Sequence, residues 1–187
     1  KYSLWVNVYG VSERYLNVYG EKDLRAQMNQ FFHRTYTHPV DGTTLDMKML
    51  CNWYWYDETA ILETGKGTKD WNFYRYAETL LSAAEAIAQS SGVNAEAAGY
   101  LAQVKARANM EGKDVSTIAS ELQRLGKQAF IEECWKERLR EFPLEMKIWD
   151  DCVRTGKFPQ ISATNKGEVQ FVDLIGATNG SGAKFKE

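Results

Sequence analysis

Four carboxylates, Glu133, Glu137, Glu141 and Glu145, recur at intervals of four residues and so fall on one face of a helix. Paired carboxylates can serve as general acid and nucleophile in glycoside hydrolysis, but that chemistry needs them about 5 Å or about 6.5–9.5 Å apart across a sugar-sized cleft. Glu137 and Glu141 could meet the distance on adjacent turns, yet one helix surface provides no cleft. Like charges at this spacing repel by a few tenths of a kcal/mol per pair, so the stripe needs solvation or cations. Lys136, Arg140 and Arg138 lie three residues from Glu133, Glu137 and Glu141 and supply part of the answer. Arg75 or Arg107, from other helices, is expected to supply the rest, the stripe then locking helices together. No catalytic residue is assigned.

Other reactive groups are sparse. His33 and His38 are five apart on strand-like sequence, on opposite faces, which suits neither a metal nor a triad. Cys51, Cys134 and Cys152 have no ligand spacing and read as buried thiols. Asp150-Asp151 fits capping or pairing inside a short helix. Gly65-Lys-Gly-Thr-Lys69 lacks the spacing of a phosphate loop. No metal and no cofactor are expected.

Aromatic residues are the stronger signal. Sugar rings present apolar CH faces that stack on indole and phenol rings while neighbouring polar groups take the hydroxyls, so sugar sites need exposed rings on loops or strand edges. Trp5, Tyr15, Trp53 and Trp55 stand in an irregular, aromatic-rich region, with Trp71 at its edge. These four, Trp53, Trp55, Trp5 and Tyr15, are the candidate carbohydrate-binding residues. In an extended strand Trp53 and Trp55 would face one side and Tyr54 and Tyr56 the other.

The elements that must position them follow from pattern and punctuation. Residues 1 to 30 read as short helical or irregular pieces. Phe31 to Thr37 and Leu45 to Leu50 favour strands, broken by His38-Pro39 and Asp41-Gly42, and predict a hairpin. One helix is predicted from about 71 to 89, on the stripe Tyr74, Ala77, Leu81, Ala84 and Ala88. A second runs from Asn94 as N-cap to about 109, on Ala97, Leu101, Val104 and Ala108. A third spans about 116 to 142 and is weakened at Gly126. Pro143 bends the chain before a short helix that ends at Gly156. After 158 only Val169 to Ile175 could be a strand.

Two alanine-rich antiparallel helices joined by a short turn resemble a tetratricopeptide-type unit, which buries its face only against stacked neighbours. The expected fold is mostly α, a TPR-like helical repeat with a small irregular β and loop region, cut from a larger protein. Three stretches are expected in one structural unit: 1–70 aromatic-rich loops and strands, 71–157 helical, and 158–187 a loop-rich tail. The chain has 187 residues, 44% apolar and 26% charged, with a formal net charge of −2. That balance gives no bulk electrostatic reason to expect nucleic acid or an anionic membrane as partner.

Asn72-Phe-Tyr-Arg-Tyr-Ala-Glu-Thr-Leu-Leu-Ser-Ala-Ala-Glu-Ala86 resembles a characteristic helix of the SusD/RagB family, and Tyr100-Leu-Ala-Gln-Val-Lys-Ala-Arg-Ala108 resembles the helix that follows it there. Glu137, Arg138, Glu141, Glu145, Trp149, Asp151, Arg154, Gly156 and Lys157 match a third block in the right order. Glu21-Lys-Asp-Leu-Arg25 resembles the family's aspartate-x-arginine step, and reads as well as a solvated turn before a short helix. Met146 stands where the family usually has glycine, Pro143 is unusual there, and Ile148 replaces a common arginine. The resemblance implies a non-catalytic protein, lipid-anchored at the outer membrane outside this stretch and missing family segments at both ends here. It would bind oligo- or polysaccharide and deliver it to a TonB-dependent transporter of the SusC type. The rival from another class is a helical scaffold that binds a protein or peptide, its aromatics being only core; an enzyme ranks third.

Overall fold

The computed structural model describes residues 10–186. Its organising element is the helix α4, Lys127–Glu141, which lies between two apolar cores. Phe130, Ile131 and Cys134 face the first core, with Leu81, Ala84 and Ala88 of α1 (Tyr76–Ser91) and Ala97, Ala98 and Leu101 of α2 (Ala95–Ala106). Ile118 and Leu122 of α3 (Val115–Leu122) complete it. Leu139 faces the second core, with Val18, Tyr19, Phe32, Leu50 and Val169.

The helices begin and end where backbone chemistry requires. Asn94 and Asp114 cap α2 and α3 by accepting the amides of Ala97 and Thr117 at 2.9 and 2.8 Å. Alanines fill the α1–α2 contact, so two backbones approach closely. The single helix expected over 116–142 is two helices. The first ends at Leu122, a turn follows, and Gly126, at φ −64° and ψ 155°, is the N-cap of α4.

The last four carbonyls of a helix have no internal partner, and at the C-terminus of α4 each is met. Arg138 O accepts the Phe142 amide at 3.0 Å. Leu139 O accepts the Tyr15 hydroxyl at 2.6 Å, and Arg140 O the Tyr19 hydroxyl at 2.9 Å. Glu141 O accepts Arg75 Nη2 at 2.8 Å. The N-terminal segment is thus stitched to the helix end by phenols.

Past Pro143 the chain passes through Leu144 and Met146 at φ 61° and 62° before α5, Ile148–Thr155, which closes on Gly156 at φ 66°. Strands β1 (Phe32–Thr37) and β2 (Thr44–Asn52) form the expected antiparallel hairpin, with a register shift between His33 and Thr35. The C-terminal stretch is more ordered than expected: β3 (Lys157–Ile161) pairs antiparallel with β4 (Val169–Asp173). Pro159 concealed β3, but a two-stranded ribbon has an outward edge where a missing amide is tolerated. Among the described residues the fold is therefore mostly helical, with two small sheets.

Candidate functional site

Three of the four carboxylates, Glu133, Glu137 and Glu141, lie on α4, while Glu145 falls beyond its end past Pro143, so the four do not share one helix face. All four are met by cations. Arg25 Nη1 meets Glu137 Oε1 at 2.8 Å and Glu141 Oε2 at 3.0 Å. Arg75 and Arg107 both reach Glu141 Oε1, at 2.9 and 2.8 Å, and Arg75 also holds Glu145 at 2.7 Å. Lys105 pairs with Glu133, and Arg140 bridges Glu133 and Glu137 at 2.9 and 3.1 Å. The expected pairs to Arg75 and Arg107 form; Lys105 and Arg25 are additional partners. Arg25 is buried and bound to Asp23 at 2.7 Å, so the aspartate-x-arginine step is an interior clamp and not a solvated turn.

Glu137 is 0% exposed. Burial alone would raise its pKa, but the charges of Arg25, Lys105 and Arg140 overcome this and hold it well below the usual carboxylate range. A carboxylate so committed neither donates a proton nor attacks.

The aromatic residues divide into packed and presented sets. Trp5 lies outside the described residues. Tyr15 is half-buried against the second core, its hydroxyl engaged by Leu139. Trp53 is sandwiched between His33, at 3.7 Å and 10°, and Tyr56, at 4.5 Å and 11°, with Tyr36 at 5.8 Å. Burial lowers the His33 pKa and, with Tyr36 alongside, pushes Tyr56 up to about 12. Trp53–Trp55 is a 3₁₀ turn capped by Asn52, not a strand, so the expected alternation fails: Trp53 turns into the ring stack while Trp55 turns towards Trp71.

In that second pair Trp55 is half-buried, as Trp53 is, and Trp71 is exposed. Trp55 and Trp71 lie 5.0 Å apart at 53°, and Trp71 is 56% exposed. Phe73 and Tyr74 follow at 73% each, in edge contact at 5.5 Å. Asp57 brings the two halves together by closing the intervening loop: its carboxylate accepts the amides of Ala60, Thr68 and Lys69 at 3.1, 2.7 and 3.0 Å. Hydrogen bonds from Thr68 and Ala60 are the main reason its pKa is lowered. Asn72 fixes the Tyr54 hydroxyl at 2.9 Å, and the Arg75 guanidinium lies between the Tyr54 and Phe142 rings, 5.4 and 4.8 Å from their centroids.

Trp71, Phe73 and Tyr74 form one wall of an open groove of about 400 Å³. The rest of its lining is Met146 and the polar residues Glu78, Ser82, Arg138, Glu145, Lys147, Asp150, Asp151 and Arg154. Lys147 Nζ stands 4.8 Å over the Tyr74 ring and donates to Phe73 O at 2.8 Å. Exposed rings beside fixed donors and acceptors can stack a sugar face and take its hydroxyls.

Phe73 and Tyr74 were not among the sequence candidates. Tyr74 was expected on the buried stripe of the first helix, but α1 begins at Tyr76 and Arg75 is still extended, at φ −118° and ψ 151°. The signal was present in the run Phe73-Tyr-Arg-Tyr76, three rings flanking one cation at a helix start. Among the described residues no group of three or more His, Cys, Asp or Glu is placed to hold a metal ion.

A family model described as the SusD family matches residues 12–179. The crystal structure of a SusD superfamily protein from Parabacteroides distasonis superposes with a TM-score of 0.77 at 26% identity, over 94% of this chain and 36% of that one. The chain therefore spans about a third of that relative's length. No protein among those of curated function matches it.

Proposed function

Because the chain belongs to the SusD family, we propose that it is part of a non-catalytic surface protein that captures glycan for nutrient uptake. On this reading it is held at the outer membrane by a lipid anchor and passes oligosaccharide to a TonB-dependent transporter of the SusC type. No described helix is long and apolar enough to cross a membrane.

The observation that supports this reading best is the ring wall. Trp71, Phe73 and Tyr74 stay exposed although larger apolar surfaces normally find cover, and such patches mark interaction sites. They adjoin a groove most of whose charged groups pair with one another, which suits a hydroxyl-rich ligand. Trp55 and Trp71 are the proposed stacking residues, with Phe73 and Tyr74 extending the surface.

Affinity electrophoresis of the full chain through gels containing soluble polysaccharides tests the reading. Retardation by at least one polymer, lost in Trp71→Ala and weakened in Trp55→Ala, is expected. Unretarded migration in every gel, or variants that bind as well as the parent, would remove it.

A further inference from the structure

Resting on that reading, we propose that the groove beside Trp71 selects neutral glycans over those carrying carboxylate or sulfate, and that Asp150 enforces the choice. The cations of the groove are already committed. Arg138 Nε binds Asp151 at 2.7 Å, Nη2 reaches Glu78 at 3.4 Å, and Nη1 donates to Ser82 at 3.3 Å. Lys147 pairs with Glu78 at 3.1 Å as well as capping Phe73 O. Arg154 binds Asp151 at 2.7 Å and takes both oxygens of Glu85 at 2.8 Å.

Asp150 differs. It is exposed on the first turn of α5 and, among the described residues, has no cationic partner. The residues that line the groove include four carboxylates (Glu78, Glu145, Asp150, Asp151) and three cations (Arg138, Lys147, Arg154), so its own lining carries one negative charge in excess. An anionic sugar would meet that charge at close range or would have to compete with a pair already formed, and either weakens its binding. A neutral sugar meets neither penalty, and its hydroxyls can donate to the free carboxylate of Asp150 while its CH face lies on Trp71.

The test uses the full chain against a panel of neutral and anionic polysaccharides, followed by the carboxymethyl derivative of whichever neutral polymer binds best. The expected ligand is neutral, and carboxymethylation should weaken it roughly tenfold at low salt. Added salt should close much of that gap, and so should Asp150→Asn. A best ligand that is uronic or sulfated would overturn the preference while leaving glycan binding intact. So would a gap that Asp150→Asn leaves unchanged. Failure of every polymer to bind would overturn both readings together.

Discussion

The Arg75 guanidinium grips Glu145 through two parallel hydrogen bonds, Nε to Oε2 at 2.8 Å and Nη2 to Oε1 at 2.7 Å. Arg75 sits directly after Tyr74, and Glu145 lies just beyond the end of α4, so this pair ties the exposed rings to the helix between the two cores. The same guanidinium holds Glu141 at 2.9 Å and covers its backbone carbonyl.

Removing that tie should be felt in both stability and presentation of the rings. Arg75→Ala strips a cation from two nearly buried carboxylates, and we expect a loss of about 2–3 kcal/mol, scaled down because Arg75 itself is partly exposed. Urea unfolding with an unchanged slope would report it. Arg75→Lys should recover only part of the loss, because an ammonium cannot form the parallel pair.

Acid should unfold the protein through the α4 stripe. The pKa of Glu137 is lowered in the fold from an ordinary 4.5, and those of Glu133 and Glu85 are lowered as well. A depressed folded pKa gives stability that is present above the unfolded value and is lost as pH falls towards the folded one. The melting temperature should therefore hold near neutrality and drop steadily below about pH 5. Glu137→Gln should flatten that slope while lowering stability at neutral pH.

Alkali should act in the opposite sense on the phenols. Burial raises the Tyr15 and Tyr19 pKa values above 10.0, and each donates its proton to a carbonyl at the end of α4. A raised folded pKa gives stability that is present below the unfolded value and is lost as pH rises. Stability should decline above about pH 10, and Tyr15→Phe and Tyr19→Phe should each cost about 1–2 kcal/mol by leaving a buried carbonyl unmet.

Met146 carries avoidable backbone strain. At φ 62° and 65% exposed it occupies a conformation that glycine adopts freely. Met146→Gly should raise stability by up to about 1 kcal/mol in thermal or urea unfolding. A loss of that size would mean that Met146 packing outweighs the strain.

How much was legible in the sequence follows from which forces are local. The alanine stripes, Asn94 and Gly156 announced α1, α2 and the end of α5, because periodicity and caps act within one turn. Arg75 and Arg107 could be named as partners of the α4 stripe, since like charges on one helix face demand cations. Arg25 could not, because it reaches Glu137 from more than a hundred residues away, and only the folded chain sets that distance. The exposed wall was misjudged for a similar reason. Tyr74 has the right spacing for the α1 stripe, but the helix starts two residues later; Trp53 and Trp55 alternate as a strand would, but Asn52 caps a 3₁₀ turn.

The two tryptophans of that turn can be told apart by substitution. Trp53→Ala opens the stack with His33 and Tyr56 and should cost about 2 kcal/mol of stability, with weakened ligand binding as a consequence.

Trp71→Ala is the sharper probe, because an indole this exposed should change stability by no more than about 0.5 kcal/mol. Calorimetric titration of the full chain with its best-retained polysaccharide, parent against Trp71→Ala, tests the central claim directly. An affinity at least roughly tenfold lower, at an unchanged melting temperature, is the predicted result. Equal affinities would contradict it and move the glycan site away from this wall.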